Sequence, residues 1–243
     1  MARKVAISST RTKGPPTPNF GKVADLLEKN ATTTIVFSKE RASDQHGGIG
    51  IKMSFVCDLL EAIENLQKHE GKAIVQGENL YINADIFFGL VNTIDVYVFE
   101  LYSILDYLAV ELSEIFGLKV IRREKEKAVE YFIELIDVKS LQFGIGSLVK
   151  ELIAESWFDY FHQLRNRVAH KTPVNFTGLV RHKDGKFVDF QYPFLPDNPK
   201  DIELTFKKEL NVLDESRRWL EGIFSFVDKV SEALLTLFQT TLS

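Results

Sequence analysis

Apolar residues recur at helical spacing along most of the chain, and the period changes in only a few places. From Lys52 to Glu70, Phe55, Leu59, Ile63 and Leu66 fall on one face, and Gly71 supplies a stop. Asn83 to Phe116 is the longest such pattern, closed by Gly117. Glu124 to Ile136 reads as a charged amphipathic helix. Ser147 to His170 reads as another helix, which Pro173 cannot extend. Val212 to Thr240 forms the last, with Leu213, Leu220, Phe224, Val227, Leu234 and Leu237 as its core face. A short helix is expected over Gly21 to Asn30, with Val23, Leu26 and Leu27 on one side.

The exceptions are β-like. Thr32 to Phe37 is β-branched and predicts a short strand. Phe176 to His182 and Phe187 to Tyr192 flank Lys183-Asp184-Gly185-Lys186, a strong hairpin signal. Pro193, Pro196 and Pro199 predict a stiff loop, and the alternation of Ile202, Leu204 and Phe206 a third strand. Gly47-Gly48-Ile49-Gly50 reads as a plain loop, because the Lys-Ser/Thr pair of a phosphate loop is missing. The expected fold class is all-α: a bundle of about five main helices with a small β-hairpin insertion after the Ser147–His170 helix. Residues 1–20 read as a flexible tail and 21–243 as one domain, with the β excursion at about 174–206.

Composition narrows the class. With 243 residues and 45% apolar content, the chain can build a real core. Cys57 is the only cysteine, so an internal disulfide and a cysteine-based zinc site are excluded; its apolar surroundings predict a buried bystander. Residues 1–20 lack a signal-peptide pattern. Asp95, Glu100, Asp106, Glu111 and Glu114 interrupt the most apolar stretch, so it is not expected to cross a membrane. A cytoplasmic protein without metal or cofactor is expected. The net charge of −4 argues against a broad nucleic-acid surface. Yet between His162 and Lys186 the basic residues Arg165, Arg167, Lys171, Arg181, Lys183 and Lys186 meet one acid, Asp184.

That basic stretch begins with Arg165-Asn166-Arg167-Val168-Ala169-His170. At about 100° per residue, Trp157, Phe161, Leu164 and Val168 share a core stripe. His162, Arg165, Asn166, Ala169 and His170 share a second, polar stripe. Arg167 projects away from it, toward substrate or solvent. An arginine holds a phosphate through a planar fork of donors, and a histidine moves protons near neutral pH. The group therefore suits phosphodiester chemistry. The same residues also suit a polar helix ending, where positive groups are favoured by about 0.3–1 kcal/mol.

The run resembles the Arg-x4-6-His signature of HEPN domains (higher eukaryotes and prokaryotes nucleotide-binding), with asparagine after the arginine as in its commonest form. Glu100 to Ala109 resembles the family's earlier acidic helix, with Asp106 the best match. The resemblance implies a metal-independent endoribonuclease of a toxin or defence type, acting as a homodimer with a composite site. It implies Arg165, Asn166, His170 and Asp106 as catalytic residues, with Arg167, Lys171 and His162 toward the RNA substrate. An antitoxin or nucleotidyltransferase partner is implied as well. The alternative is a non-catalytic HEPN-like module that binds RNA or a protein partner.

Overall fold

The computed structural model describes residues 19–23, 39–70, 74–76, 79–81, 84–116, 144–170, 173–174, 177–183 and 186–242. It is mostly helical, as the periodicity predicts. Its long helices are α1 (Lys39–Glu70), α2 (Ala84–Ile115), α3 (Ile145–Ala154), α4 (Ser156–His170) and α5 (Val212–Leu242). Strands β1 (Ile74–Gln76) and β2 (Asn79–Tyr81) pair antiparallel. Strands β3 (Thr177–Lys183), β4 (Lys186–Leu195) and β5 (Leu210–Asn211) form a second sheet in that order, with Lys183 opposite Lys186. The expected tail through residue 18, the strand at 32–37 and the helix at 124–136 lie outside the described residues.

Helix α2 is the centre of the core and packs against α1, α4 and α5. Leu90, Ile94, Tyr97, Val98, Leu101, Tyr102, Ile104 and Leu105 are all fully buried. Each such side chain is worth about 1.5–3 kcal/mol of burial, so this helix anchors the rest. Among the described residues, α2 is long and apolar enough to pass as a membrane span, but half of that apolar window is buried inside the protein.

Four expectations change. Gly47 to Gly50 is not a loop but part of α1. The glycine at 48 lets Tyr107 lie against the helix, since a Cβ there would stand 2.6 Å from its Cε1. The expected single helix from Ser147 to His170 is two, divided at Glu155, whose backbone is extended at φ −69°, ψ 125°. The Glu155 carbonyl accepts the N–H groups of Phe158 and Asp159 and so starts α4. The turn brings Trp157 against Gly222 of α5, where a Cβ would come within 2.3 Å of the indole.

The expected strand over Ile202 to Phe206 does not form, and Ile202 is 96% exposed. Asp197 and Asn198 take the N–H groups of Thr205, Lys207 and Lys208, which satisfies the backbone without a sheet partner. The strand beyond is β5, and Pro193 lies within β4.

The fourth change is the tail boundary. Residues 19–23 are helical and tied down: the Asn19 N–H donates to Asp228 Oδ1 at 3.0 Å, and Val23 is fully buried. Phe20 stacks on His46 of α1, ring centroids 3.8 Å apart. His46 Nε2 donates to the Phe20 carbonyl at 2.9 Å, and its Nδ1 meets Glu111 Oε1 of α2 at 2.7 Å. Both partners are buried, and Glu111 Oε2 has no hydrogen-bond partner.

Truncating one member of a buried pair strands the other. His46→Ala is expected to cost about 3–5 kcal/mol in urea unfolding, while His46→Leu with Glu111→Leu costs far less. Equal losses in the single and double variants would show that the pair itself carries no such coupling.

Candidate functional site

Helix α4 presents Trp157, Phe158, Phe161 and Leu164 to the core and leaves a polar stripe beside α2. The two helices run antiparallel at this contact. Tyr102 meets Phe158, Phe161 and His162, while the segment beyond α4 reaches back to Asp95. Residues 95, 99, 102 and 106 repeat at helical spacing, so α2 offers Asp95, Phe99, Tyr102 and Asp106 along one stripe.

Three polar side chains of α4 are joined in series against that stripe. Tyr102 Oη lies 2.8 Å from His162 Nδ1. His162 Nε2 lies 2.9 Å from Asn166 Nδ2. Asn166 Oδ1 accepts from Arg165 Nη1 at 3.4 Å, the longest link. The Arg165 guanidinium carbon stands 4.8 Å from the Tyr102 ring centroid and 5.8 Å from that of Phe99. Arg165 Nε is buried without a hydrogen-bond partner, so the two aromatic faces offset its lost hydration.

His170 ends α4 one turn beyond Asn166; it is exposed and makes no hydrogen bond or ion pair among the described residues. Arg165, Asn166 and His170 thus lie on one accessible side. Asp106 continues the α2 stripe one turn past Tyr102, on the side away from His170. The carboxylate beside the end of the motif is instead Asp95, whose Oδ1 accepts the Val174 N–H at 2.9 Å. Burial raises the Asp95 pKa, and that N–H only partly opposes it. Lys171 lies outside the described residues.

Arg167 is placed differently from its expected outward position. It is buried, and Nη1 donates to the carbonyls of Pro199 at 3.2 Å and Asp201 at 2.9 Å. It follows Leu164 by three residues, so it shares the buried face and fastens the loop after β4. Tyr160 fastens the same loop by donating to the Pro196 carbonyl at 2.8 Å. Burial raises the Tyr160 pKa, with Glu215 and Asp197 adding to it, so the phenol stays a donor. Cys57 is half-buried, and burial with Asp58 pushes its thiol up to about 11, which leaves it a poor nucleophile. Among the described residues no cluster of three His, Cys, Asp or Glu could hold a metal ion.

Sequence spacing missed Phe99, Tyr102 and Asp95, though they share the stripe of Asp106, which the family resemblance selected. A tyrosine and two further residues at i, i+3/i+4 offsets from an acid were the available signal.

Arg167→Ala is expected to lower stability by about 1.5–3 kcal/mol, the worth of hydrogen bonds from a charged group. Amide exchange should rise in 199–205, with RNA binding unchanged. Weakened RNA binding at unchanged stability would return Arg167 to the substrate.

Comparison with protein-family models, curated proteins and solved structures finds no match to this chain.

Proposed function

We propose that this protein is a metal-independent endoribonuclease of a toxin or defence type. The observation that carries the reading is the grouping on α4. Arg165 lies over two aromatic rings and is linked to Asn166, and His170 stands exposed one turn on. The resemblance of residues 165–170 to the HEPN signature supports the same reading, as does the helical architecture.

The chemistry follows from these groups. A base removes the proton of the RNA 2′-hydroxyl, and the 2′-oxygen forms a bond to the adjacent phosphorus. The bond from phosphorus to the 5′-oxygen breaks, and an acid protonates that leaving oxygen. The products are a 2′,3′-cyclic phosphate and a free 5′-hydroxyl. One imidazole cannot act as acid and base at once, so two copies of His170, one from each protomer of a homodimer, divide the roles. Arg165 stabilises the charge that builds on the phosphate oxygens. Asn166 binds a phosphate oxygen or holds its neighbours in place.

The net charge of −4 favours a second reading, a non-catalytic module that binds a protein partner through the same face. The two differ in bond breaking. In EDTA, wild-type protein is expected to cut RNA, and His170→Ala to lose about 10²–10⁴-fold in rate while remaining folded. A 2′-deoxy nucleotide at the cut site should block cleavage. Equal cleavage by His170→Ala, or none by the wild type, would remove the nuclease reading. The composite site also requires a dimer at micromolar concentration in light scattering; a monomer that cleaves would contradict it.

A further inference from the structure

The bonds beneath the candidate site have a direction. A guanidinium can only donate, so the Asn166 oxygen must face Arg165 and its NH2 must face His162. Reversing the amide would set two donors against each other at Arg165. His162 Nε2 must then offer its lone pair to the Asn166 NH2. The ring proton therefore sits on Nδ1 and is donated to Tyr102 Oη. Either a cationic ring or the Nε2–H tautomer would put an N–H against the Asn166 NH2 and break the series. The same Tyr102 ring also lies under Arg165, at 4.8 Å, so one phenol touches both ends of the series.

We infer that Tyr102 and His162 are positioning residues of this site. Arg165 and the Asn166 amide set His162 as the neutral Nδ1–H tautomer, Tyr102 receives its ring proton and holds the ring in place, and the held ring keeps Asn166 turned so that its oxygen receives Arg165. His162 is then neither the acid nor the base, and it does not bind substrate as its place on the polar stripe suggests. The consequence for rate rests on the nuclease reading, but the hydrogen-bond arrangement does not.

The test is long-range 1H–15N correlation of the histidine rings in the full-length protein, with His162 assigned through His162→Gln. The wild type is expected to show His162 as the neutral Nδ1–H form at pH 7.5. Tyr102→Phe keeps the ring under Arg165 but removes the acceptor; His162 should stay in the Nδ1–H form, since Asn166 still donates to Nε2, with that ring proton exchanging faster with solvent. Asn166→Asp, on a half-exposed residue, replaces the NH2 by an acceptor and should place a proton on Nε2 even if Tyr102→Phe fails to fold. A wild-type ring that is cationic or Nε2–H, or a ring unchanged in Asn166→Asp, would overturn the inference. With RNA, Tyr102→Phe should lower kcat by up to about 100-fold, as a small misplacement of a catalytic group can, at unchanged KM. His162→Gln should keep both limbs of the pH–rate profile; a lost limb would make His162 an acid or base and overturn the inference. Absence of cleavage by the wild type removes the nuclease reading alone, since the ring tautomers still decide the positioning role.

Discussion

Tyr102 joins the interior of this protein to its candidate chemistry. Its ring is fully buried on the central helix α2 and packs against Phe158 and Phe161, which hold α4 in place. Its hydroxyl reaches His162, and its face carries the Arg165 guanidinium. A phenol can do this because it has an apolar body and one polar tip. The hydrophobic core and the polar series therefore share one side chain, and the position of α4 against α2 sets the geometry of both. A shift of α4 along α2 would part Arg165 from its rings and His162 from its bond together.

The two arginines of the motif show how strongly position decides role. Arg165 and Arg167 are about 200° apart around the helix. One lies over two aromatic rings of α2 on the accessible side, and the other is buried against backbone carbonyls. Arg167 and Tyr160 hold the loop after β4, while Asp197 and Asn198 organise it from within. Burial alone would raise the Asp197 pKa, but the N–H groups of Lys207 and Lys208, the Thr205 hydroxyl and the Lys208 charge bring it below the ordinary value. The contribution of that carboxylate is thus present above the unfolded pKa and is lost as pH falls through the folded one.

Periodicity made the long helices legible, because burial on one face leaves a 3.6-residue trace in α2 and α5. It misread the glycines of α1, because glycine there serves the close approach of Tyr107, a contact that local sequence does not encode. It also ran through Glu155, because apolar residues continue at helical spacing on both sides of the break. The alternation at Ile202, Leu204 and Phe206 suggested a strand, but the side chains of Asp197 and Asn198 take those backbone groups first. At the candidate site, spacing along α4 grouped Arg165 with Asn166 and His162. It could not supply Tyr102, Phe99 or Asp95, which come from a helix more than fifty residues earlier. Arg167 was misjudged because a charged residue on a buried face becomes intelligible only with its carbonyl partners.

The central claim is that Arg165 and His170 meet an RNA phosphate on the face that Tyr102 organises. A crystal structure with a short RNA carrying one 2′-deoxy substitution tests it most directly. The account predicts the phosphate following the substituted sugar on the Arg165 guanidinium, with imidazoles of His170 from two protomers within hydrogen-bond reach of it. An RNA bound elsewhere, or Arg165 unmoved and without contact to any phosphate, would contradict it.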